Sequence, residues 1–347
     1  MINLLTLVVI ILALVTVWRL IRVLELVRDL RGDEDPITDQ DNKFNGRMSI
    51  LFLIVGFAGM IYFTIDAKKY LLPVAASKHG VLTDNYLYIN FALIAFVFFI
   101  TQFLLFYYAW KYKHVKGKKG LFYPDNHKLE FIWTVIPAIV LMGLIVYGLK
   151  LWINITAPAP KDAMVIELYG KQFDWTARYS GADNKLGKSN YKLITDEDPL
   201  GVDSLDPLGT DDKITRELHL PVNSKIIFKI HSRDVLHSAY FPHLRAQMNA
   251  VPGMTTEIFV EPTISTDSMR IITNDPKFDY ILLCNKICGV AHYNMRMKLV
   301  IESPEAFKKW YRDQPFVFAR PEAVAAPVDS AKMTATTSGK GKVTAAK

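Results

Sequence analysis

The segment Cys284-Asn285-Lys286-Ile287-Cys288-Gly289-Val290-Ala291-His292-Tyr293-Asn294-Met295 places four ligand-type side chains within twelve residues, at steps of four, four and three. Cys284, Cys288, His292 and Met295 offer two thiolates, an imidazole and a thioether. An upstream stretch, Ser232-Arg233-Asp234-Val235-Leu236-His237-Ser238, adds a second imidazole. Such a soft donor set favours copper over hard cations. Two bridging thiolates can hold two copper ions close together, with one imidazole on each and the thioether as a weak further ligand. A pair of that kind shares one electron with little rearrangement. Other chemistries use part of the set. Cys284 and Cys288 are the only 2 cysteines in the chain, and taken alone they favour a disulfide. With His237 and His292 they also complete a Cys2His2 zinc set. Neither alternative needs Met295, and a disulfide gives His237 no role, so copper leads once all five residues are counted. Two cysteines are too few for a disulfide-stapled scaffold, and their spacing excludes a Cys-x-x-Cys-His haem attachment.

The elements that would position these groups read as strands. From Ala157 onward, short alternating segments are broken by Pro, Gly, Asn and Asp. Candidate strands cover 164–169, 172–179, 214–220, 225–231, 256–261, 269–273 and 295–301. Many short strands with turn signals and no intervening helices predict an antiparallel sandwich or barrel. An insertion at 180–212 is rich in Gly, Asn and acidic residues. Ser303-Pro304-Glu305 opens a short amphipathic helix through Tyr311, with Ser303 as cap and Pro304 in the first turn. Beyond Pro321 the Ala/Thr/Lys/Gly/Ser composition cannot bury a core and predicts a disordered tail. No internal repeat is evident.

The first 152 residues have a different character. Of 347 residues 51% are hydrophobic and 22% charged, with 41 Lys plus Arg against 34 Asp plus Glu, a net charge of 41 − 34 = +7. That excludes a disordered chain, and the surplus is too small to demand nucleic acid. The apolar residues concentrate in blocks at 2–18, 48–65, 87–110 and 131–152, each near the ~20 residues that cross a bilayer. Runs such as L-Y-I-N-F-A-L-I-A-F-V-F-F-I lack the polar stripe of a soluble core helix. The first block reads as a retained anchor, since no Lys or Arg precedes it and no small-x-small cleavage site follows. Arg19, Arg22, Arg28, Arg31, Lys43 and Arg47 follow the first span, and Lys111, Lys113, Lys116, Lys118, Lys119 and Lys128 follow the third. The loop 66–86 has only Lys68, Lys69 and Lys78. The positive-inside tendency puts the first and third loops in the cytoplasm and everything after Trp152 outside. The expected organisation is a span and cytoplasmic loop (1–47), a second span and external loop (48–86), a transmembrane hairpin (87–156), an exported domain (157–315) and a flexible tail (316–347).

With these residues in view, the chain resembles subunit II of the haem–copper respiratory oxidases, specifically cytochrome c oxidase, over roughly residues 85–315. The resemblance rests on the cysteine cluster; on Leu220-Pro221-Val222-Asn223 leading to Asp234-Val235-Leu236-His237-Ser238; on Asn249-Ala250-Val251-Pro252-Gly253; on Leu129-Glu130-Phe131-Ile132-Trp133-Thr134-Val135-Ile136-Pro137; and, more loosely, on Gly170-Lys171-Gln172-Phe173-Asp174-Trp175. It implies a cupredoxin-like Greek-key barrel behind transmembrane helices, carrying the dinuclear copper centre called CuA. Cys284 and Cys288 would bridge two copper ions, His237 and Met295 would serve one, and His292 and the Lys286 carbonyl the other. Electrons would come from cytochrome c, or a cytochrome c domain, and pass to haem and copper in a separate catalytic subunit that reduces oxygen and translocates protons. This chain would hold no haem itself. The expected location is the bacterial inner membrane with the C-terminal domain on the periplasmic face, beside the catalytic and other membrane subunits.

Departures from the family pattern alter some expectations. Lys286 stands where the family has a Glu that helps bind Mg2+ or Mn2+, so that site is expected to be absent or rebuilt. Asn249 replaces an Asp and Met254 an Arg. The family's electron-accepting Trp aligns with Phe173, leaving Trp175 as the nearby indole; Trp175 also reads as a core aromatic. Glu130 stands where the family has an acid near a proton-pathway mouth, or is simply solvated at the interface. Asp196, Glu197, Asp198, Asp203, Asp206, Asp211 and Asp212 would either attract a basic cytochrome c or form a solvated loop. The two first spans fall outside the resemblance. The small subunit of a copper-dependent nitric oxide reductase would look much alike. A membrane-anchored metal-binding assembly module is a different class, and it has no need of the motif at 130–137. A copper-free quinol oxidase subunit is disfavoured by the surviving thiols and histidines.

Overall fold

The apolar blocks fold as helices longer than the blocks themselves. The computed structural model describes residues 2–30, 38–195 and 198–318. Its long helices are α1 (Ile2–Leu30), α2 (Asp39–Asp66), α3 (Lys78–Lys111) and α4 (His127–Ile155). Among the described residues, these 4 are long and apolar enough to cross a membrane. At 1.5 Å per residue they run roughly 42–51 Å, beyond the ~30 Å of hydrocarbon, so their ends carry polar residues. In α1 the helix continues past Trp18 through Arg19, Arg22 and Glu25, with Arg22 and Glu25 paired at 2.8 Å. Thr38 and Asp41 close a capping box at the start of α2. Within the helical unit, Phe57 of α2 meets Phe99 of α3 edge-on at 4.8 Å. The Tyr86 hydroxyl of α3 donates to the Leu144 carbonyl of α4 at 3.0 Å, over Gly148, where a Cβ would lie 2.6 Å from that oxygen.

The second compact unit comprises Ala75–Gly80 and the chain from Ile155 onward. Its strands are β1 (Met164–Lys171), β2 (Asp174–Tyr179), β3 (Lys213–Thr215), β4 (Leu218–Pro221), β5 (Ile226–Ser232), β6 (His237–Phe241), β7 (Ala246–Ala250), β8 (Thr256–Val260), β9 (Tyr280–Cys284) and β10 (Arg296–Glu302). They form two five-stranded sheets, ordered β3-β2-β1-β5-β8 and β4-β10-β9-β6-β7. Alternate side chains of both sheets, among them Ile166, Leu168, Phe228, Phe241, Leu282 and Leu299, fill one shared core. This is the cupredoxin-like, two-sheet β-domain expected behind transmembrane helices. The pairing is antiparallel except for β1 with β5 and β4 with β10, which run parallel.

Several expectations need correction. The stretch 269–273 is not a strand but the end of α5 (Thr266–Thr273). Ser265 caps that helix by accepting the Ser268 N–H at 3.1 Å, and Asn274 ends it in the left-handed conformation at φ 53°. Only Met269 of its apolar residues is buried, and so short an apolar run does not separate the two periodicities. The expected strand 214–220 is two: β3 pairs with β2 in one sheet, and β4 with β10 in the other. A local turn at Thr215, whose hydroxyl oxygen accepts the Glu217 N–H at 3.1 Å, moves the chain between sheets. Strands β6, β7 and β9 were not anticipated. Phe316 makes an isolated bridge to Lys213 of β3, and the Val317 N–H donates to the Asp212 carbonyl at 2.9 Å. The tail beyond Pro321 lies outside the described residues. α6 (Pro304–Arg312) starts as expected, Ser303 accepting the Ala306 N–H.

The segment Ala75–Gly80 is sewn into the β unit. The Ala76 N–H donates to the His243 carbonyl at 2.6 Å, and the Thr263 N–H to the Ala76 carbonyl at 2.8 Å. The buried Ser77 hydroxyl donates to the Leu244 carbonyl at 2.6 Å and accepts the Gly80 N–H at 2.9 Å.

A buried ionic cluster anchors the insertion. Arg178 of β2 donates from Nε to Glu167 of β1 at 2.6 Å, and from one terminal nitrogen to Asp212 at 3.1 Å and the Gly187 carbonyl at 3.0 Å. All three ionisable side chains are at most 3% exposed. Burial pushes Asp212 up to about 6, although the Gly187 N–H and the Arg178 guanidinium pull the other way. Removing one member of such a cluster strands the others. Arg178→Ala is therefore expected to destabilise the β unit by about 3–5 kcal/mol, measured by denaturant unfolding of the solubilised chain. Because the folded-state value of Asp212 lies above its ordinary 3.8, the stability it contributes is complete below that value. It is lost as pH rises through about 6. The stability difference between the native chain and Asp212→Asn should fall across that window.

Candidate metal centre

The site is assembled by strand pairing. Ala239 of β6 pairs with Cys284 of β9, so His237, two residues back on the same face of β6, is a diagonal neighbour of the thiol. On the other side of β9 the Cys284 N–H donates to the Met295 carbonyl at 3.0 Å, which closes the loop 285–295 just before β10. The Asn285 N–H donates to the Ser238 carbonyl at 3.0 Å, and the Met295 N–H to the His292 carbonyl at 3.2 Å, so the loop is tied at both ends.

All six expected ligand groups come together. The sulfurs of Cys284 and Cys288 are 3.8 Å apart. His237 Nδ1 lies 3.8 Å from Cys284 Sγ, and the Lys286 carbonyl oxygen 3.3 Å from it. On the other sulfur, His292 Nδ1 lies 3.6 Å from Cys288 Sγ and Met295 Sδ 3.7 Å. His237, Cys284, Cys288 and Met295 are buried, whereas the Lys286 side chain is exposed and takes no part. Both cysteines are free thiols, so the disulfide alternative does not describe this site. Burial and the adjacent Cys284 sulfur push the Cys288 thiol up to about 11. A metal held there must displace that proton. Two sulfurs, two imidazole nitrogens, a thioether and a carbonyl converge with no carboxylate among them. That donor set fits a soft metal such as copper and does not suit Mg2+ or Ca2+.

The surroundings hold these groups in place. Asp234 Oδ1 accepts from His237 Nε2 at 2.7 Å, leaving Nδ1 toward the thiol. Its other oxygen accepts the Gln172 N–H at 2.7 Å. Burial alone would raise Asp234, but the hydrogen bonds from Gln172, His237 and Val235 hold it below the usual carboxylate value. The Gln172 side-chain amide donates to the Cys288 carbonyl. Asp234 and Gln172 lie within segments that carry the family resemblance, but the sequence alone assigns neither a role.

The two candidate aromatics sit differently. Phe173 is half-buried, and its ring covers Gly289, where a Cβ would lie 2.9 Å from it. Trp175 is 2% exposed, with its ring edge-on to His237 at 6.1 Å and against Gly170. Glu130 lies in the helical unit, in the first turn of α4, accepting the Asn126 N–H at 3.4 Å and pairing with His127 at 3.3 Å. In the insertion, Asp198, Asp203, Asp206, Asp211 and Asp212 accept backbone N–H groups of the same insertion, so these carboxylates shape the loop. Asp196 and Glu197 lie outside the described residues.

Gly289 adopts φ 138°, and its Cβ position is blocked; Gly253 has φ 75° with nothing near. Gly289→Ala should destabilise the β unit by about 1–3 kcal/mol, lower its thermal midpoint and displace Phe173. Gly253→Ala, strained only in its backbone, should cost less. Differential scanning calorimetry of both variants checks the order.

Residues 71–151 match the family model described as cytochrome c oxidase subunit II, transmembrane domain. Residues 164–303 match the one described as cytochrome c oxidase subunit II, periplasmic domain. Among curated relatives, the chain is 32% identical over 267 residues to the alternative cytochrome c oxidase subunit 2 of Bradyrhizobium diazoefficiens, covering 76% of this chain and 91% of the relative. It is 24% identical over 287 residues to cytochrome c oxidase subunit 2 of Thermostichus vulcanus, covering 76% and 84%. Among solved structures, the periplasmic domain of subunit II of cytochrome oxidase of Bradyrhizobium japonicum is 21% identical, covering 45% of this chain and 95% of that one at a TM-score of 0.30.

Proposed function

The chain belongs to the cytochrome c oxidase subunit II family, and on that premise we propose that it is the electron inlet of its oxidase, taking electrons from cytochrome c at a dinuclear copper site. The observation that carries this reading is the pair of free sulfurs 3.8 Å apart, with an imidazole nitrogen against each. Cys284, Cys288, His237, His292, Met295 and the Lys286 carbonyl would together hold the copper, since their donor atoms converge on the two sulfurs. Copper in such a donor set supplies one-electron transfer with little change in coordination.

The remaining work belongs to the chain. His237 and Met295, at 0% and 1% exposure, hold their donor atoms in a dry pocket, which limits solvent rearrangement when charge changes. Phe173 covers the cysteine loop at Gly289 and is only half-buried. Those features support Phe173 as the ring nearest the donor, with Trp175 a buried support behind His237. Oxygen is reduced in the separate haem–copper subunit, at the outer face of whose membrane this β-domain resides. The exposed ammonium of Lys286 repels rather than binds Mg2+, and only its carbonyl serves the site.

Copper analysis and electron paramagnetic resonance of the purified full-length chain test the reading. Two coppers per chain sharing one unpaired electron are expected. Cys288→Ser should abolish that signal, whereas Lys286→Ala should keep it, since the proposed ligand there is a carbonyl. A single copper, zinc alone or a closed disulfide in the native chain would contradict the proposal. Loss of copper from a folded Lys286→Ala would overturn the assignment at that position.

A further inference from the structure

Three chain segments meet at the thiols, and one carboxylate touches two of them. Asp234 accepts the Val235 N–H and the His237 Nε2 on Oδ1, each at 2.7 Å, and the Gln172 N–H on Oδ2 at 2.7 Å. The turn between β1 and β2, which carries Gln172 and Phe173, is thereby fastened to the segment that carries His237. From that same turn the Gln172 side-chain amide reaches the Cys288 carbonyl. The link from Asp234 through Gln172 to Cys288 therefore spans the loop before β6, the β1–β2 turn and the cysteine loop. No other carboxylate of the described residues contacts His237.

The chemistry of this contact is directional. A carboxylate accepting from Nε2 fixes the imidazole in its Nε2–H tautomer and orients the ring, leaving the Nδ1 lone pair as the donor on the thiol side. It also makes the ring a stronger donor. Resting on the copper reading above, we propose that Asp234, with Gln172, is a positioning residue of the centre. It presents His237 Nδ1 to the metal, sets how strongly that ring donates, and locks the aromatic turn against the cysteine loop. A purely structural role for Asp234 would move stability alone.

The test uses the full-length chain loaded with copper, comparing Asp234→Asn and Asp234→Glu with the native protein. The readouts are copper per chain, the hyperfine pattern of the paramagnetic resonance spectrum, and the midpoint potential. Asp234→Asn is expected to keep its copper but to shift the potential upward and alter the hyperfine pattern. A negative charge and a carboxylate–imidazole hydrogen bond are both lost in that variant. Asp234→Glu should recover part of the shift. Asp162→Asn, which removes an exposed acid paired with Lys225 at 3.0 Å, serves as the control and should move neither. Identical spectra and potentials for Asp234→Asn and the native chain would overturn the proposal even if stability falls. Should Asp234→Asn not fold, Gln172→Ala is read instead. That variant keeps the backbone N–H held by Asp234 and loses only the link to Cys288. A changed hyperfine pattern supports the proposal and an unchanged one overturns it. A native chain without the shared-electron signal sinks the copper reading itself, whereas a normal native signal with an unresponsive Asp234→Asn sinks only this inference.

Discussion

The placement of β9 between β6 and β10 is the constraint on which the metal centre depends. Cys284 ends β9, and its thiol becomes part of a cluster only because Ala239 pairs with it on one side and Met295 closes on it from the other. The first pairing brings His237 across 47 residues of sequence to within 3.8 Å of Cys284 Sγ. The second folds the intervening loop back so that Cys288 and His292 return to the same place. A one-residue slip of β9 against β6 would turn Cys284 to the opposite face and dismantle the set.

The rest of the β-domain makes that register hard to lose. Its shared core fixes both sheets, and its polar interior is concentrated where irregular chain must be attached. Arg178 holds Glu167 and Asp212 and so pins the end of the insertion beneath β1 and β2. Lys213 similarly satisfies three carbonyls at the C-terminal end of α6 and just beyond it, those of Tyr311, Arg312 and Gln314. Such clusters add little net stability over an apolar core but are costly to break, and they specify one arrangement of the loops. The segment Ala75–Gly80 plays the same part from outside the exported region as read from sequence, since Ala76 and Ser77 are buried in the β unit.

Much of the site was legible in the sequence because it is local there. Cys284, Cys288, His292 and Met295 fall within one short loop, and their donor types restrict the chemistry before any fold is known. His237, on a separate upstream stretch, completes the donor set by its residue type, and the resemblance to the oxidase subunit added the carbonyl of Lys286. What escaped notice is non-local. Gln172 acts across 116 residues through a side-chain contact to the Cys288 carbonyl that no spacing announces. Ser77 acts across 167 residues on the Leu244 carbonyl, from a stretch that reads as a plain external loop. Strands β6, β7 and β9 are five residues each and lie beside polar motif residues, which mask their alternation. The misreading of 269–273 has a local cause: the cap at Ser265 and the left-handed Asn274 decide for helix, and both lie outside the apolar run. The acidic insertion reads as a charged surface, yet most of its described carboxylates are occupied by backbone N–H groups.

The central claim is that Cys284 and Cys288 bridge two metals rather than serve one or bond to each other. Copper-edge X-ray absorption of the full-length, copper-loaded chain addresses this directly. A short copper–copper vector together with copper–sulfur scattering from two bridging thiolates is the predicted result. Copper–sulfur scattering with no metal–metal vector, or copper bound only through nitrogen and oxygen, would contradict it.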